Sequence, residues 1–289
     1  MSFSSEIKEK LTLTGEMCKD CDRFFLAGFM STAARISPEA ITFSTESEST
    51  VTLFCELIKK MYRAEVMLID KKTKYVMEIS DEAVLAKMLA DTGYLGELPE
   101  MENECCLGAY ARGAFLGGGS ISDPRKSYHL EFDCKIPSEA KKLEDILLAI
   151  GIDVKHTERK SYTVLYVKEF EAIAGVLGLM GAGGAAVEIF NIFAEKDLRN
   201  RINRQMNCEG ANMDKITVAC GKHTQAIKKL QKSAAYSKLP DHLKETAELR
   251  IQYPEDSLSD LGKRFKKPIG KSGVNHRLNK LIELADSLK

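Results

Sequence analysis

Residues Cys106 to Ser122 read CLGAYARGAFLGGGSIS, and Cys21 to Ser37 read CDRFFLAGFMSTAARIS. Laid over each other they coincide at Cys106 on Cys21, Gly113 on Gly28 and Ile121-Ser122 on Ile36-Ser37, at one constant offset of 85 residues. Both stretches are apolar and crowded with Gly and Ala. Glycine costs a helix about 1 kcal/mol relative to alanine, so a helix that keeps one at its centre must gain something by it. Two helices that lack bulk on their facing sides can bring their backbones close together. The stretches are therefore predicted to be helices that meet each other across a pseudo-twofold axis.

The chain that follows each helix repeats in the same order. A turn comes first, at Pro38 and at Pro124, then a segment alternating in polarity, Ala40 to Ser44 and Tyr128 to Asp133. An amphipathic helix follows, with Val51, Phe54, Cys55, Leu57 and Ile58 apolar in the first copy and Leu143, Ile146, Leu147 and Ile150 in the second, which stops at Gly151. Two β-rich runs flank a polar turn: Glu65 to Ile69 and Tyr75 to Ile79 around Asp70–Thr73, then Asp153 to His156 and Tyr162 to Val167 around Glu158–Ser161. Helices near 81–91 and 169–179 close the copies. The unit is α-β-α-β-β-α, with room for one more short strand after the first turn. Each copy alone leaves a sheet face and a small-residue helix uncovered, so two should pack as one domain.

Leu26 to Ala34 (LAGFMSTAA) and Ala111 to Gly119 (ARGAFLGGG) stand where the LAGLIDADG homing endonucleases carry their motif. The pattern over roughly residues 16–185 resembles that fold, in which two such helices form the central interface and two sheets make a saddle for DNA. Active members carry a metal-holding acid at the last-but-one motif position. Here those positions are Ala33 and Gly118, and neither offers the hard oxygen that Mg²⁺ requires. No catalytic residue is assigned; the enzymatic alternative is a metal-dependent endonuclease using acids outside the motif, such as Glu39 or Asp123. Gly117-Gly118-Gly119-Ser120 follows a helix rather than a strand and has no Gly-Lys-Ser/Thr ending, which argues against a nucleotide-binding loop.

The 44% hydrophobic and 29% charged residues suit a globular protein with a sizeable core. No run approaches the roughly 18–20 apolar residues of a membrane span, and Met1 to Glu6 shows no basic region before an apolar core, so cytoplasmic location is expected. Eight cysteines are then expected to be reduced. Cys18-Lys19-Asp20-Cys21 has metal-ligand spacing, and Cys105-Cys106 could complete a set. Adjacent residues seldom both face one tetrahedral ion, so these cysteines are read as small buried apolar residues and neither metal nor cofactor is predicted. The net charge of zero hides an asymmetry: from Glu195 onward 20 Lys/Arg face 12 Asp/Glu, leaving 22 against 30 before it. An acidic body with a basic tail suits nucleic-acid binding through the tail.

Residues 186–237 form an Arg/Asn-rich segment, expected to be a helical linker, in which Arg199, Arg201, Asn203, Arg204, Asn207, Asn212 and Lys215 are additional candidate DNA contacts. Within it, 213–232 is predicted to be a helix with Ile216, Cys220 and Ile227 near one face. From Pro240 three helices follow. Leu243, Ala247 and Ile251 recur every four residues; Ser257 with Asp260 makes a capping pair before Leu258, Leu261 and Phe265; and Val274, Leu278, Leu281 and Ala285 mark the third helix. A short helix, a tight turn and a longer helix are the helix-turn-helix arrangement. Its DNA-facing candidates are Lys266, Lys267, Lys271, Ser272, Asn275, His276, Arg277, Asn279 and Lys280. A protein-interaction scaffold is the alternative reading of such a three-helix unit.

Lys271 to Leu281 (KSGVNHRLNKL), together with Arg112 to Ser120, Asp123-Pro124, Ser127 to Glu131, Asn203-Arg204, Asn207, Ala211-Asn212 and Lys215, is very similar to motifs of the WhiA family of sporulation and cell-division regulators. The resemblance covers essentially the whole chain. It implies an α+β fold: a degenerate, duplicated LAGLIDADG-type saddle over 1–185 (copies about 16–98 and 101–183), then an all-α helix-turn-helix domain over 238–289. It also implies a non-enzymatic regulator of sporulation, cell-division or chromosome-segregation genes, bound to promoter double-stranded DNA at the nucleoid, without membrane attachment, and acting with RNA polymerase or a partner regulator.

Overall fold

Gly28 and Gly113 lie where two helices touch backbone to backbone. A Cβ on Gly28 would strike the carbonyl oxygen of Tyr110, and one on Gly113 would strike that of Phe25. The helices are α2 (Cys21–Ala33) and α5 (Glu104–Gly118), and Thr32 Oγ1 donates across them to the Ala114 carbonyl at 2.9 Å. Nearly every residue of α2 and two-thirds of those of α5 are buried. This is the central pair that the two small-residue stretches predict. The computed structural model describes residues 2–15, 18–159 and 161–288.

Each helix feeds a four-stranded antiparallel sheet of the same topology. The first sheet is ordered β1-β2-β4-β3, from β1 (Arg35–Ile36), β2 (Ile41–Thr45), β3 (Met67–Asp70) and β4 (Tyr75–Ile79); the second is β5-β6-β8-β7, from β5 (Gly119–Ile121), β6 (Leu130–Cys134), β7 (Lys155–Arg159) and β8 (Tyr162–Val167). Helices α3 (Glu48–Tyr62) and α6 (Pro137–Ala149) connect the second strand to the third, and α4 (Glu82–Thr92) and α7 (Phe170–Leu179) close the copies. The extra short strand expected in each copy comes before the proline turn, at β1 and β5, and not after it. It continues directly from the central helix, so the first two strands pair across that turn. The second hairpin turn includes Lys160, which lies outside the described residues.

Alternation decides which side of each sheet is buried. Ile41, Phe43, Met77 and Ile79 of one sheet and Leu130, Phe132, Cys134, Leu165 and Val167 of the other enter a single core with α2 and α5. Helix α1 (Phe3–Thr12) adds Ile7 and Leu11 to it. The copies are also tied by polar contacts. Glu139, almost fully buried on α6, accepts from the backbone N–H of Leu95 at 3.0 Å and pairs with Lys142 at 2.6 Å, whose ammonium also donates to the Gly93 carbonyl at 2.7 Å. A buried charge of this kind persists because its partners replace water.

The chain forms two compact units, Met1–Lys196 and Asp197–Lys289. The boundaries expected at 185/186 and 237/238 do not coincide with this division. Helix α8 (Gly183–Gln231) begins in the first unit, where Ala185 and Ile189 join the core and Phe193 stacks on Phe170 at 3.7 Å. Its later residues belong to the second unit. There Ile227 and Leu230 share a core with Leu239, Leu243 and Ala247, with Leu261 and Phe265, and with Val274, Leu278, Leu281 and Ala285. The second unit is completed by α9 (Asp241–Gln252), α10 (Leu258–Lys263) and α11 (Lys271–Asp286).

Candidate nucleic-acid interface

In the second unit, α10, the turn after it and α11 form the expected helix-turn-helix. Ser257 caps α10 by accepting from the Asp260 N–H at 3.2 Å, as its spacing predicts. The turn is closed by Ile269 N–H donating to the Gly262 carbonyl at 3.0 Å, and a Cβ on Gly262 would strike the Ile269 carbonyl oxygen. Only glycine lets the turn pass this close. Val274, Leu278, Leu281 and Ala285 face the core. Lys271, Ser272, Asn275, His276, Asn279 and Lys280 are left exposed, as are Lys266 and Lys267 in the turn. Arg277 differs from them: it is only partly exposed, and its guanidinium lies over the Phe265 ring at 5.2 Å.

Two features supporting this motif were not legible in the sequence. The four-residue repeat places Ile251 in the α9 stripe, but Ile251 is exposed and Arg250 is buried in its stead. Arg250 Nη1 donates to the carbonyls of Asp256 (2.8 Å), Pro254 (3.3 Å) and Tyr253 (3.4 Å), so it gathers the α9–α10 turn around one cation. Burial lowers the pKa of Arg250. It also lowers that of His223 on α8 to about 4, with the charge of Arg250 adding to the effect. Arg264 fixes the same turn from outside, pairing with Asp256 and lying 3.8 Å over the Tyr253 ring.

Within this unit α8 brings some of the middle-segment candidates to the motif. Lys215 and Lys222 line one groove with Asn275 and Asn279, and Asn212 and Lys215 line another with Lys271. The remaining candidates, Arg199 to Asn207, are all exposed and lie about 12–24 Å further along the helix axis from Lys215. At about 100° per residue they do not share a face. Arg199, Asn203 and Asn207 fall on one side, and Arg201 and Arg204 fall nearer to Asn212 and Lys215. Arg201 is paired with Asp197 at 2.6 Å.

The first unit has a different chemistry. At the ends of α2 and α5, where a homing endonuclease would hold its cation, Ala33 is buried and Lys135 Nζ donates to its carbonyl at 2.8 Å. Burial, and then Arg35, lowers the Lys135 pKa to about 8. A Cβ on Gly118 would lie 2.8 Å from Thr32 Cβ and 3.0 Å from the Asp133 carbonyl, leaving little space for a carboxylate. Asp123 is engaged in a turn, accepting from the Arg125 N–H at 2.8 Å, and Glu39 is exposed. The open face of the second sheet is organised around Glu131, which accepts from Ser120 Oγ at 3.2 Å, meets His129 at 3.0 Å and pairs with Arg159 at 3.7 Å. Ser120, His129 and Arg159 together satisfy the Glu131 carboxylate.

The cysteines depart most from expectation. Cys18 Sγ lies 3.5 Å from Cys21 Sγ and 3.5 Å from Cys106 Sγ, and the sulfurs of Cys18, Cys21, Cys105 and Cys106 all lie within 4.8 Å of one another. Adjacent Cys105 and Cys106 do aim at one point. They occupy the first turn of α5, where the chain turns about its own end and neighbouring side chains can flank the same spot. A hydrogen bond from the Asp20 N–H holds the Cys18 thiol down to about 7, and burial pushes that of Cys106 up.

Comparison with known proteins agrees with this division. The WhiA LAGLIDADG-like domain matches residues 23–106 and again 107–199, and the WhiA C-terminal HTH domain matches residues 202–285. The probable cell division protein WhiA of Clostridium beijerinckii is 35% identical over 312 residues, spanning 100% of this chain and 99% of its own length. That of Heliobacterium modesticaldum is 36% identical, spanning 99% and 97%. The crystal structure of full-length WhiA from T. maritima is similar with a TM-score of 0.63 at 24% identity, over 99% of this chain and 98% of that one. The sequence identity runs from end to end, and both domain types occur in the same order: the chain belongs to the WhiA family.

Proposed function

We propose that this chain is a sequence-specific regulator of transcription that binds promoter double-stranded DNA through α11 and has no nuclease activity. The observation that carries this reading is the division of α11 into two faces. Val274, Leu278, Leu281 and Ala285 lock one side into the core, and the N-terminal part of the other side presents Lys271, Ser272, Asn275, His276, Asn279 and Lys280. Residues at that end of a helix-turn-helix recognition helix reach base edges in the major groove. Asparagine pairs bidentately with adenine and lysine donates to guanine. Lys266 and Lys267 in the turn are placed for phosphates, and Asn212 and Lys215 extend the same surface.

Relatives named as probable cell division proteins support promoters of cell-division genes as targets, with chromosome segregation and sporulation genes as the wider proposal. Such a regulator works at the nucleoid in the cytoplasm, and no helix among the described residues is long and apolar enough to cross a membrane. RNA polymerase or a partner regulator is the protein class it would act with. The buried Ala33, the Lys135 ammonium at its carbonyl and the crowded Gly118 argue against cation-dependent cleavage.

Crosslinked immunoprecipitation of the chain, followed by sequencing of bound DNA, tests the reading. A limited set of promoter sites sharing one motif, and lost in an Asn275→Ala/Asn279→Ala variant, is expected. Recovery of no enriched promoter would overturn it. Supercoiled plasmid incubated with the protein and Mg²⁺ or Mn²⁺ should stay uncut; cleavage abolished by Asp123→Ala would refute the non-enzymatic part.

A further inference from the structure

The four clustered thiols lie in the first unit and are not among the candidate DNA contacts, and apolar packing does not account for them. Apolar packing distributes cysteines through a core, as it does Cys55 and Cys134; it gives no reason for four sulfurs to converge within 4.8 Å. We propose that Cys18, Cys21, Cys105 and Cys106 form a mononuclear tetrathiolate site for Zn²⁺ that clamps the N-terminal ends of the two central helices together.

The distances fit one ion. Zinc bound to four thiolates at about 2.3 Å has sulfur–sulfur edges of about 3.8 Å. The Cys18–Cys21 and Cys18–Cys106 separations of 3.5 Å fall just short of that, and the widest pair is no more than 4.8 Å. The two 3.5 Å separations are far beyond the roughly 2.0 Å of a disulfide, and all four cysteines are free. An iron–sulfur cubane would spread its four cysteine sulfurs wider than this. Zinc is preferred among single ions because thiolates are soft ligands and a closed tetrahedral set suits a d¹⁰ ion.

The setting fits as well. Cys21 opens α2, and Cys105 and Cys106 lie in the first turn of α5, so the positive dipole ends of two helices lie beside the sulfurs. That field favours the net negative charge of a zinc tetrathiolate. Cys21 and Cys106 are equivalent under the 85-residue repeat and both are buried. The other two ligands break the symmetry: Cys18 corresponds to Asn103, and Cys105 to Asp20. Each copy thus supplies two ligands, and the ion would fasten one copy to the other at the end of the interface opposite the Ala33 and Gly118 positions. Structural zinc sites contribute their binding energy to folding.

The test is metal analysis of the full chain, purified under reducing conditions without chelator. About one zinc per chain is expected, falling at least tenfold in Cys18→Ser and in Cys106→Ser and unchanged in Cys208→Ser, whose thiol is exposed and outside the cluster. If Cys106→Ser fails to fold, Cys18→Ser, only partly buried and ahead of α2, remains decisive, with circular dichroism as the check on folding. Cobalt exchanged into the wild-type chain should show sulfur-to-metal charge transfer and the intense red absorption of a tetrahedral thiolate site. A reduced, folded chain with less than about a tenth of a zinc would overturn the proposal. So would zinc that survives both substitutions, visible iron–sulfur absorption, or a disulfide among the four cysteines.

Discussion

Replacing Gly113 by alanine would set intrinsic helix preference against the packing of the two central helices. Alanine should stabilise a helix by about 1 kcal/mol over glycine. At Gly113, however, the new Cβ would strike the Phe25 carbonyl oxygen and lie 2.8 Å from Phe29 N and 2.9 Å from Phe25 C. All three are backbone atoms of α2, so no side chain can swing aside; the helices must separate or slide. Overpacking of this kind costs about 1–3 kcal/mol, and a backbone-to-backbone clash belongs at the upper end. Subtracting the propensity gain leaves a net loss of about 2 kcal/mol. Native-state hydrogen exchange read by mass spectrometry on the α2 and α5 peptides should show protection falling about 30-fold. Gly221→Ala is the control: it lies in α8, where an added Cβ would meet nothing within 4 Å, so it should gain up to about 1 kcal/mol. Unchanged or higher protection in Gly113→Ala would refute the close approach of α2 and α5.

Other perturbations separate reading DNA from holding the reader in place. Arg250→Ala removes the cation that gathers the Tyr253, Pro254 and Asp256 carbonyls, and should destabilise the second unit by about 3 kcal/mol; thermal melting with exchange on α9 to α11 measures it. His223 has its pKa lowered to about 4, so the folded unit resists protonating it. Its contribution is complete above the ordinary histidine value near 6.5 and is lost as pH falls from there towards 4. Acid titration of second-unit stability should therefore flatten in His223→Gln. Lys267→Ala should weaken binding to all DNA sequences alike, while Asn275→Ala costs about 1–3 kcal/mol on the preferred site and relaxes the base preference there. Competition titrations with single-base site variants distinguish the two.

Much of this architecture is legible in the sequence because its signals are local or repeated. One offset exposes the duplication, glycine in the middle of an apolar helix signals close packing, and Ser257 with Asp260 announces a helix start. What escapes is set by tertiary placement. Nothing in Cys105-Cys106 shows that the start of α5 meets the start of α2, so adjacency alone argues against a common point. The period of α9 favours Ile251 as the buried residue, but the carbonyls of the following turn accept a guanidinium and Arg250 turns inward to meet them. In α8 exposed arginines and asparagines look like a linker by composition, and although Ile227 reads as apolar, nothing local shows that it and Leu230 join the core of the second unit. The exposed face of α11 was readable residue by residue, except at Arg277, where the ring of Phe265 holds the guanidinium against the turn.

In the function proposed here the exposed face of α11, with the lysines around it, grips and reads DNA. Fluorescence anisotropy of the full chain on its preferred promoter duplex, repeated across salt concentrations, tests it most directly. Lys215, Lys266, Lys267, Lys271 and Lys280 together should displace enough counterions for log K to fall against log salt with a slope of about −4.5. Asn275→Ala/Asn279→Ala should abolish the preference for that duplex over scrambled DNA and leave the slope unchanged. A flat salt response, or a sequence preference that survives the double substitution, would contradict the account.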